Sequence, residues 1–398
     1  MCRANAPKLR IYVVAAPYRF LIQLAELDIL QKKGERMRFV SVNNIRRWLA
    51  SVGPEVAIAG MIDALEAGFR RWPEFELRPR VASHSRDGVI ELMPTADGAT
   101  YGFKFVNGHP SNPARGYQTV TAFGVLADVH NGYPRFQSEM TILTALRTAA
   151  MSGLATKFLA PEGPCNLGLI GAGSQSEFQT LAVKIVRGLG KVSVFDVDRA
   201  ASEKLARNLA PLGIDVHIAD SAAEAAADAD VITTCTADKR NATVLSLEDV
   251  RPGVHINGIG GDCPGKTELD HRILDLGPVF VEYPEQTRIE GEIQAKPEDY
   301  PVTEIWQVVA GLKEGRTGAD QVTIFDSVGF AIEDFTALCY LEKAVEDTGF
   351  YEEIDLIADP EDPKDLFGLI GEEVADRIPA SQFAGASSHR RIREVTPA

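Results

Sequence analysis

Paired cysteines are missing from this chain. Its five cysteines (Cys2, Cys165, Cys235, Cys263 and Cys339) are odd in number, widely spaced and without a C-x-x-C pair. That pattern argues against a disulfide framework and against a thiolate zinc site, and it predicts free thiols in a reducing cytoplasm. The histidines (His84, His109, His130, His217, His255, His271 and His389) show no H-E-x-x-H or other metal spacing, so no metal is assigned. Positive charge is scarce: 41 Lys and Arg against 56 Asp and Glu leave a formal charge of -15, which repels nucleic acid and anionic membranes alike. A clean apolar run of bilayer length is also lacking, because Tyr18, Arg19, Gln23, Glu26 and Asp28 interrupt the stretch from Ile11 to Leu30. The Val13–Ala16 segment is too short for an ordinary signal-peptide core, the alternative reading of this end. Residues 1–36 are read as an extension, or as sequence ahead of a start at Met37. Internal repeats are absent, and the one compositional bias is an Ala-rich segment at Ala222–Ala229.

What is present is ordinary globular composition, 45% hydrophobic and 24% charged, over 398 residues, enough for two domains with a core each. From Met37 the pattern predicts a strand (RFVSV), helices at Asn43–Ala50 and Pro54–Trp72, and strands at Val89–Met93, Tyr101–Val106 and Gln118–Asp128. The last pairs with Tyr133–Gln137 across the hairpin signal His130-Asn131-Gly132, and Glu139–Phe158 reads as a long helix. This is an α+β pattern. Beyond Pro161–Pro164, strands alternate with helices: Asn166–Ile170, Val192–Asp196, Asp215–Ile218, Val231–Thr234, His255–Ile259, Val279–Glu282 and Val322–Phe325. Such alternation predicts a parallel, doubly wound, Rossmann-like sheet. Phe330–Thr348 is a helix leading back out, Asp355–Asp365 an acidic connection to a short helix, and the end of the chain a mobile tail. The expected division is therefore a cofactor domain at 165–328 inserted into a substrate domain at 37–164 plus 329–384, with a tail at 385–398.

Two stretches carry chemistry. In CNLGLIGAGSQSE (Cys165–Glu177) a strand runs into Gly171-Ala172-Gly173 and then a helix: Gly171 permits the tight turn, Gly173 lets a pyrophosphate approach, and the helix start offers unpaired N–H groups. Ser176 stands where the third glycine belongs, a departure expected to loosen helix-to-strand packing. Asp196 ends the next strand where a ribose-binding acid is expected, and a carboxylate there favours NAD over its 2′-phosphorylated form; capping the helix that starts at Asp198 is its other possible use. In HINGIGGDCPGKTELD (His255–Asp270) a strand is broken by Gly260 and Gly261, Asp262 follows, and Thr267–Leu276 reads as a helix. Asp262 then lies just past a strand's carboxyl end, where open α/β sheets bind ligands. An aspartate beside Gly-Gly equally serves as a turn or cap residue.

Taken together, GGDCPGKTEL (Gly260–Leu269), FKFVNGHP (Phe103–Pro110), RPRVASHS (Arg78–Ser85), GYQTVTAFGVLADVHNGYP (Gly116–Pro134), EMTILTALRTAA (Glu139–Ala150) and GAGSQSEFQ (Gly171–Gln179) resemble the ornithine cyclodeaminase family, from about Met37 to Ile378. The wider family includes mu-crystallins and some alanine dehydrogenases, and the full DCPGKTEL run points to the cyclodeaminase branch. The resemblance implies conversion of L-ornithine to L-proline and ammonia with NAD as cofactor, in a homodimer. It implies Asp262 as catalytic base and Glu91 as a second acid, ranked lower because an exposed strand position explains it almost as well. Arg80 and Lys104 would bind the substrate carboxylate, with Val328 beside the substrate; solvated surface charge is the alternative for both cations. Cofactor contacts would come from Thr119, Arg147, Ser174, Gln175, Asp196, Thr236, Ile259, Lys266 and Ser327, together with Gly171, Gly173, Gly260 and Gly261. Arg147, on the helix before the phosphate loop, would pair with pyrophosphate, a helix-surface arginine being the other reading. Lysine as substrate, a dehydrogenase or imine reductase, and a non-catalytic nucleotide binder remain as alternatives.

Overall fold

The computed structural model describes residues 36–237 and 243–371; the expectations for residues 1–35 and for the tail from 372 lie outside them. Two compact units result, Arg38–Glu353 and a smaller one formed by Met37 with the segment from Ile354. The features considered below belong to the larger unit.

The chain runs β1 (Met37–Val40), α1 (Val42–Val52), α2 (Pro54–Arg70), β2 (Val81–His84), β3 (Val89–Ala96), β4 (Thr100–Gly108), β5 (Ala122–Asp128), β6 (Pro134–Glu139) and α3 (Thr141–Leu159). Strands β2 to β6 form an antiparallel meander, to which β1 adds in parallel beside β6. The β5–β6 turn forms as its sequence predicts: Gly132 takes φ +77°, and the Asp128 carboxylate accepts N–H bonds from His130 and Asn131. The α+β pattern expected for the first part is present.

The second sheet contains β7 (Cys165–Ile170), β8 (Leu189–Phe195), β9 (Val216–Ile218), β10 (Val231–Thr234), β11 (His255–Gly258), β12 (Val279–Val281), β13 (Thr303–Glu304) and β14 (Thr323–Asp326). Its order is β13-β12-β14-β11-β10-β7-β8-β9, and every pairing is parallel. Helices α4 (Ser176–Arg187), α5 (Arg199–Leu209), α6 (Ala222–Ala226), α7 (Pro284–Glu290) and α8 (Ile305–Val309) supply the connections, and α9 (Ala331–Val345) returns to the first sheet. The Rossmann-like fold is as expected. The chain winds outward from β7 to β9, then crosses back to β10, so the topological switch lies between β7 and β10.

Helix α3 is buried on nearly every side, through Leu143, Leu146, Ala149, Ala150, Met151, Leu154 and Ala155, which is why its sequence shows little polar face. It packs against α2 and α4. A polar seam fixes it to the parallel sheet: Asn257 donates to Thr156 Oγ1 at 3.0 Å, and His255 bridges Asn257 and Thr323. Burial holds His255 down at about 3, so the ring is neutral and structural.

One element departs from expectation. Thr267–Leu276 does not form a helix; Leu269 makes a bridge to Leu245, and His271–Asp275 is a single 3-10 turn. The cause is a long-range competitor. Glu292 accepts the N–H groups of Glu268 at 2.7 Å and Leu269 at 3.1 Å, which holds the segment extended.

Candidate active site

The parallel sheet ends in register. Phe195, Ile170, Thr234, Gly258, Asp326 and Val281 pair in one row across β8, β7, β10, β11, β14 and β12. The next residue in each strand therefore emerges on the same edge: Asp196, Gly171, Cys235, Ile259, Ser327 and Glu282. Three expected site segments, widely separated in sequence, meet there.

At the switch point, Gly171 adopts φ +101°, and a Cβ on it would lie 2.8 Å from the Cys235 carbonyl oxygen, so only glycine fits. A Cβ on Gly173 would meet nothing within 4 Å, leaving the space above the loop open. Ser174 follows, and Gln175 precedes α4 without a side-chain cap on its N–H groups. Gln175 Oε1 is buried and unbonded. Uncapped donors and open space suit a dinucleotide phosphate. Ser176 is fully buried, and its hydroxyl donates to the Gly173 carbonyl at 2.8 Å, bracing the loop. Asp196 is not the helix cap, since Asp198 fills that role toward Ala200; Asp196 instead accepts from Ala172 N at 2.7 Å, bracing the glycine loop.

Around β11 a chain of buried acids supports the Asp262 loop from below. Asp326 accepts from the N–H groups of Glu292 and Ile293, Glu292 holds Glu268 and Leu269, and Glu268 accepts from both N and Oγ1 of Thr236. A Cβ on Gly260 would lie 2.1 Å from Glu268, and one on Gly261 2.7 Å from Glu292, so these glycines serve close packing. Burial raises Glu268 from its ordinary value, Glu292 well above it, and Asp326 up to about 7. Lys266 anchors the loop to β10, its Nζ 2.9 Å from the Thr236 carbonyl and 3.3 Å from Asp262 Oδ1. Its burial favours the neutral amine, but Asp262 and Glu268 outweigh that and keep the ammonium. Asp262 itself is half exposed at the mouth of the row.

Opposite lies a buried cation group. Arg80 Nη1 donates to Glu91 at 3.1 Å, Nη2 donates to the Val328 and Gly329 carbonyls at 2.6 and 2.8 Å, and Nε is 3.1 Å from Glu290. One N–H on Nη1 remains for a ligand. Both Arg80 and Glu91 are more than nine-tenths buried, which excludes the solvated readings of each. Lys104 is 1% exposed and bonds Asp334 at 2.8 Å, so it is not a surface charge either. Burial and the nearby Arg147 pull it down to about 8 against the pull of Asp334. Arg147 has two carboxylate partners, Glu333 at 2.7 Å on Nη1 and Asp334 at 3.0 Å on Nε. Glu282 shapes the turn between the two halves, accepting from Ser327 Oγ, Val328 N and Gly329 N. Gly329 takes φ +72°, with Arg147 filling the place of a Cβ. Thr119, on the β4–β5 connection, is half-buried with contacts to His109 and Asn107; no hydrogen bond joins it to the strand-end row. Among the described residues no group of three His, Cys, Asp or Glu is set to hold a metal.

The model of the ornithine cyclodeaminase/mu-crystallin family matches residues 42–349. An ornithine cyclodeaminase of Brucella suis biovar 1 (strain 1330) is 56% identical over 332 residues, 83% of this chain and 93% of that one. A solved lysine cyclodeaminase, described as recognising L-lysine, L-ornithine and L-2,4-diaminobutyric acid, is 32% identical with a TM-score of 0.77, covering 82% of this chain and 97% of its own. An archaeal alanine dehydrogenase dimer with bound NAD superimposes with a TM-score of 0.74 at 31% identity, over 81% of this chain and all of the other.

Proposed function

The chain belongs to the ornithine cyclodeaminase/mu-crystallin family, and we propose that it is an NAD-dependent ornithine cyclodeaminase, a lyase forming L-proline and ammonia from L-ornithine. The observation that carries the choice of substrate is the 56% identity to an ornithine cyclodeaminase, against 32% to the lysine enzyme. The unpaired thiols of Cys165, Cys235 and Cys339 suit a cytoplasmic enzyme, and no single described helix is long and apolar enough to cross a membrane.

NAD, when bound, would supply a hydride acceptor for the substrate Cα and the hydride donor for the cyclised product. Gly171, Gly173, Ser174 and Gln175 would hold its phosphates and Asp196 its adenine ribose; Thr236, Ile259, Gly260, Gly261, Lys266 and Ser327 line the row where its other end would lie. Thr119 and Arg147 are retained as contacts on the family resemblance. The remaining N–H of Arg80 and the Lys104 ammonium would fix the substrate carboxylate, with Val328 closing the far side. Asp262, half exposed and tethered by Lys266, would take the proton from the δ-ammonium so that this nitrogen can attack Cα. Ring closure within one bound molecule has a large advantage over an intermolecular attack. Glu91 would act as a second acid near the departing nitrogen.

The outer face of the first sheet supports a homodimer. Tyr101, Phe103, Phe105 and Phe123 cluster there, Phe105 stacked on Phe123 at 5.1 Å and Phe103 edge-on to Phe123, with Ile90 and Leu92 exposed beside them. We accordingly assign substrate binding and dimerisation to 37–164 plus 329–384 and cofactor binding to 165–328.

The test is incubation with L-ornithine and far less than one equivalent of NAD. Many turnovers to proline and ammonia are expected; NADH accumulating in proportion to product would indicate a dehydrogenase.

A further inference from the structure

Ring closure of ornithine requires two proton acceptors at once. The substrate arrives with both nitrogens as ammonium ions; the α-nitrogen must shed a proton before Cα can give up hydride, and the δ-nitrogen must shed one before it attacks. Asp262 accounts for the second. Building on the cyclodeaminase reading, we propose that Glu290 is a third carboxyl of the reacting centre, which takes the α-ammonium proton and returns it to the same nitrogen as that nitrogen leaves.

Glu290 ends α7, and its side chain is 7% exposed. Every other buried acid among the described residues accepts at least one hydrogen bond: Glu91 from Arg80, Glu139 from Thr141 and Ile142, Glu268 from Thr236, Glu282 from Ser327, Glu292 from Glu268, Asp326 from Ile293, Glu333 from Arg147 and Asp334 from Lys104. Glu290 Oε2 is buried and accepts none; its 3.1 Å approach to Arg80 Nε is an ion contact without hydrogen-bond alignment. An inward carboxylate without a bond is costly unless something else uses it. Three charged groups face it from other elements: Arg80 from the segment before β2, Glu91 from β3 and Asp262 from the loop after β11. Glu290 thus shares the cation expected to hold the substrate carboxylate, which brings its oxygen toward the substituents on Cα.

The protons balance. After ring closure, protonated Glu290 gives its proton to the former α-amine; the C–N bond breaks with its pair on that nitrogen, and ammonia departs. The ring nitrogen loses a proton to Glu290 as its lone pair closes the new C=N bond. Glu290 passes that proton to ammonia, which leaves as ammonium, while Asp262 returns its own to the proline nitrogen. Burial lifts Glu290, Arg80 lowers it, and Glu91 and Asp262 lift it again, to about 7, so both protonation states are populated near neutrality.

The test compares wild type with Glu290→Gln and Glu290→Asp, each saturated with NAD, measuring kcat/KM for L-ornithine between about pH 6 and 10. Loss of a general acid–base group predicts a fall of about 100-fold or more near neutrality for Glu290→Gln, with the rising limb displaced upward toward the pH at which the substrate amine ionises unaided. NAD affinity, read by fluorescence, should be unchanged. Activity within about threefold of wild type would overturn the role, as would a fall without displacement of the limb. If Glu290→Gln does not bind NAD, the limb of Glu290→Asp decides: displaced supports the role, unmoved refutes it. A wild-type protein that makes no proline would instead sink the cyclodeaminase reading, and this role with it.

Discussion

Lys104 Nζ lies 2.8 Å from Asp334 Oδ1, and both side chains are 1% exposed. Asp334 is shared with Arg147, so one carboxylate oxygen bridges two buried cations. Breaking such a group strands charge. Asp334→Asn should cost about 3–5 kcal/mol in denaturant unfolding and raise KM for ornithine, because Lys104 loses the partner that keeps it an ammonium. Unchanged stability would show that the cations relax to water.

Asp262→Asn is expected to retain NAD binding and lower kcat by about 100-fold to 10,000-fold. Thr236 still holds Lys266 in that variant, so the loop should stay in place. Stopped-flow hydride transfer and equilibrium NAD titration separate the two effects; near-normal turnover would remove Asp262 from the chemistry.

Arg80→Lys keeps the charge and discards the fork. A lysine cannot reach Glu91, the Val328 and Gly329 carbonyls and a substrate carboxylate together. We expect a KM increase of about 10-fold to 100-fold with a smaller change in kcat. An unchanged KM would place the substrate carboxylate elsewhere.

The NAD-free protein should be more stable at pH 5.5 than at pH 8. Asp326 and Glu290 are raised to about 7 and Glu333 to about 8, chiefly by burial. Below their unfolded values, near ~4, both states carry these groups protonated. As pH rises from there the unfolded chain ionises first, and the stabilisation is lost through pH 7 to 8. Thermal unfolding across that range checks the sign, and Asp326→Asn should flatten the slope.

Placing charge in the aromatic patch, as in Phe105→Glu with Phe123→Lys, should turn a dimer into a monomer on light scattering. A wild-type monomer would refute the proposed interface.

Much of the fold was legible because its signals are local. Glycines after apolar runs marked Gly171 and the Gly260–Gly261 break, and every strand expected in the parallel sheet is found, with ends shifted by a few residues. What was hidden depends on partners far along the chain. Glu292 turns an apparent helix at Thr267–Leu276 into an extended segment from 24 residues away, and Arg147 meets Glu333 across 186 residues. Glu282 and Asp326, each closing an apolar strand, look in sequence like solvated strand ends, and Glu290 looks like a helix terminus; burial alone distinguishes them.

The most direct test uses L-ornithine carrying deuterium on Cα, in ordinary water, with catalytic NAD. If hydride leaves and returns within one closed site, the proline formed should retain the label on its Cα. Proline with hydrogen at that position, the label appearing in solvent or in accumulated reduced cofactor, would contradict the account.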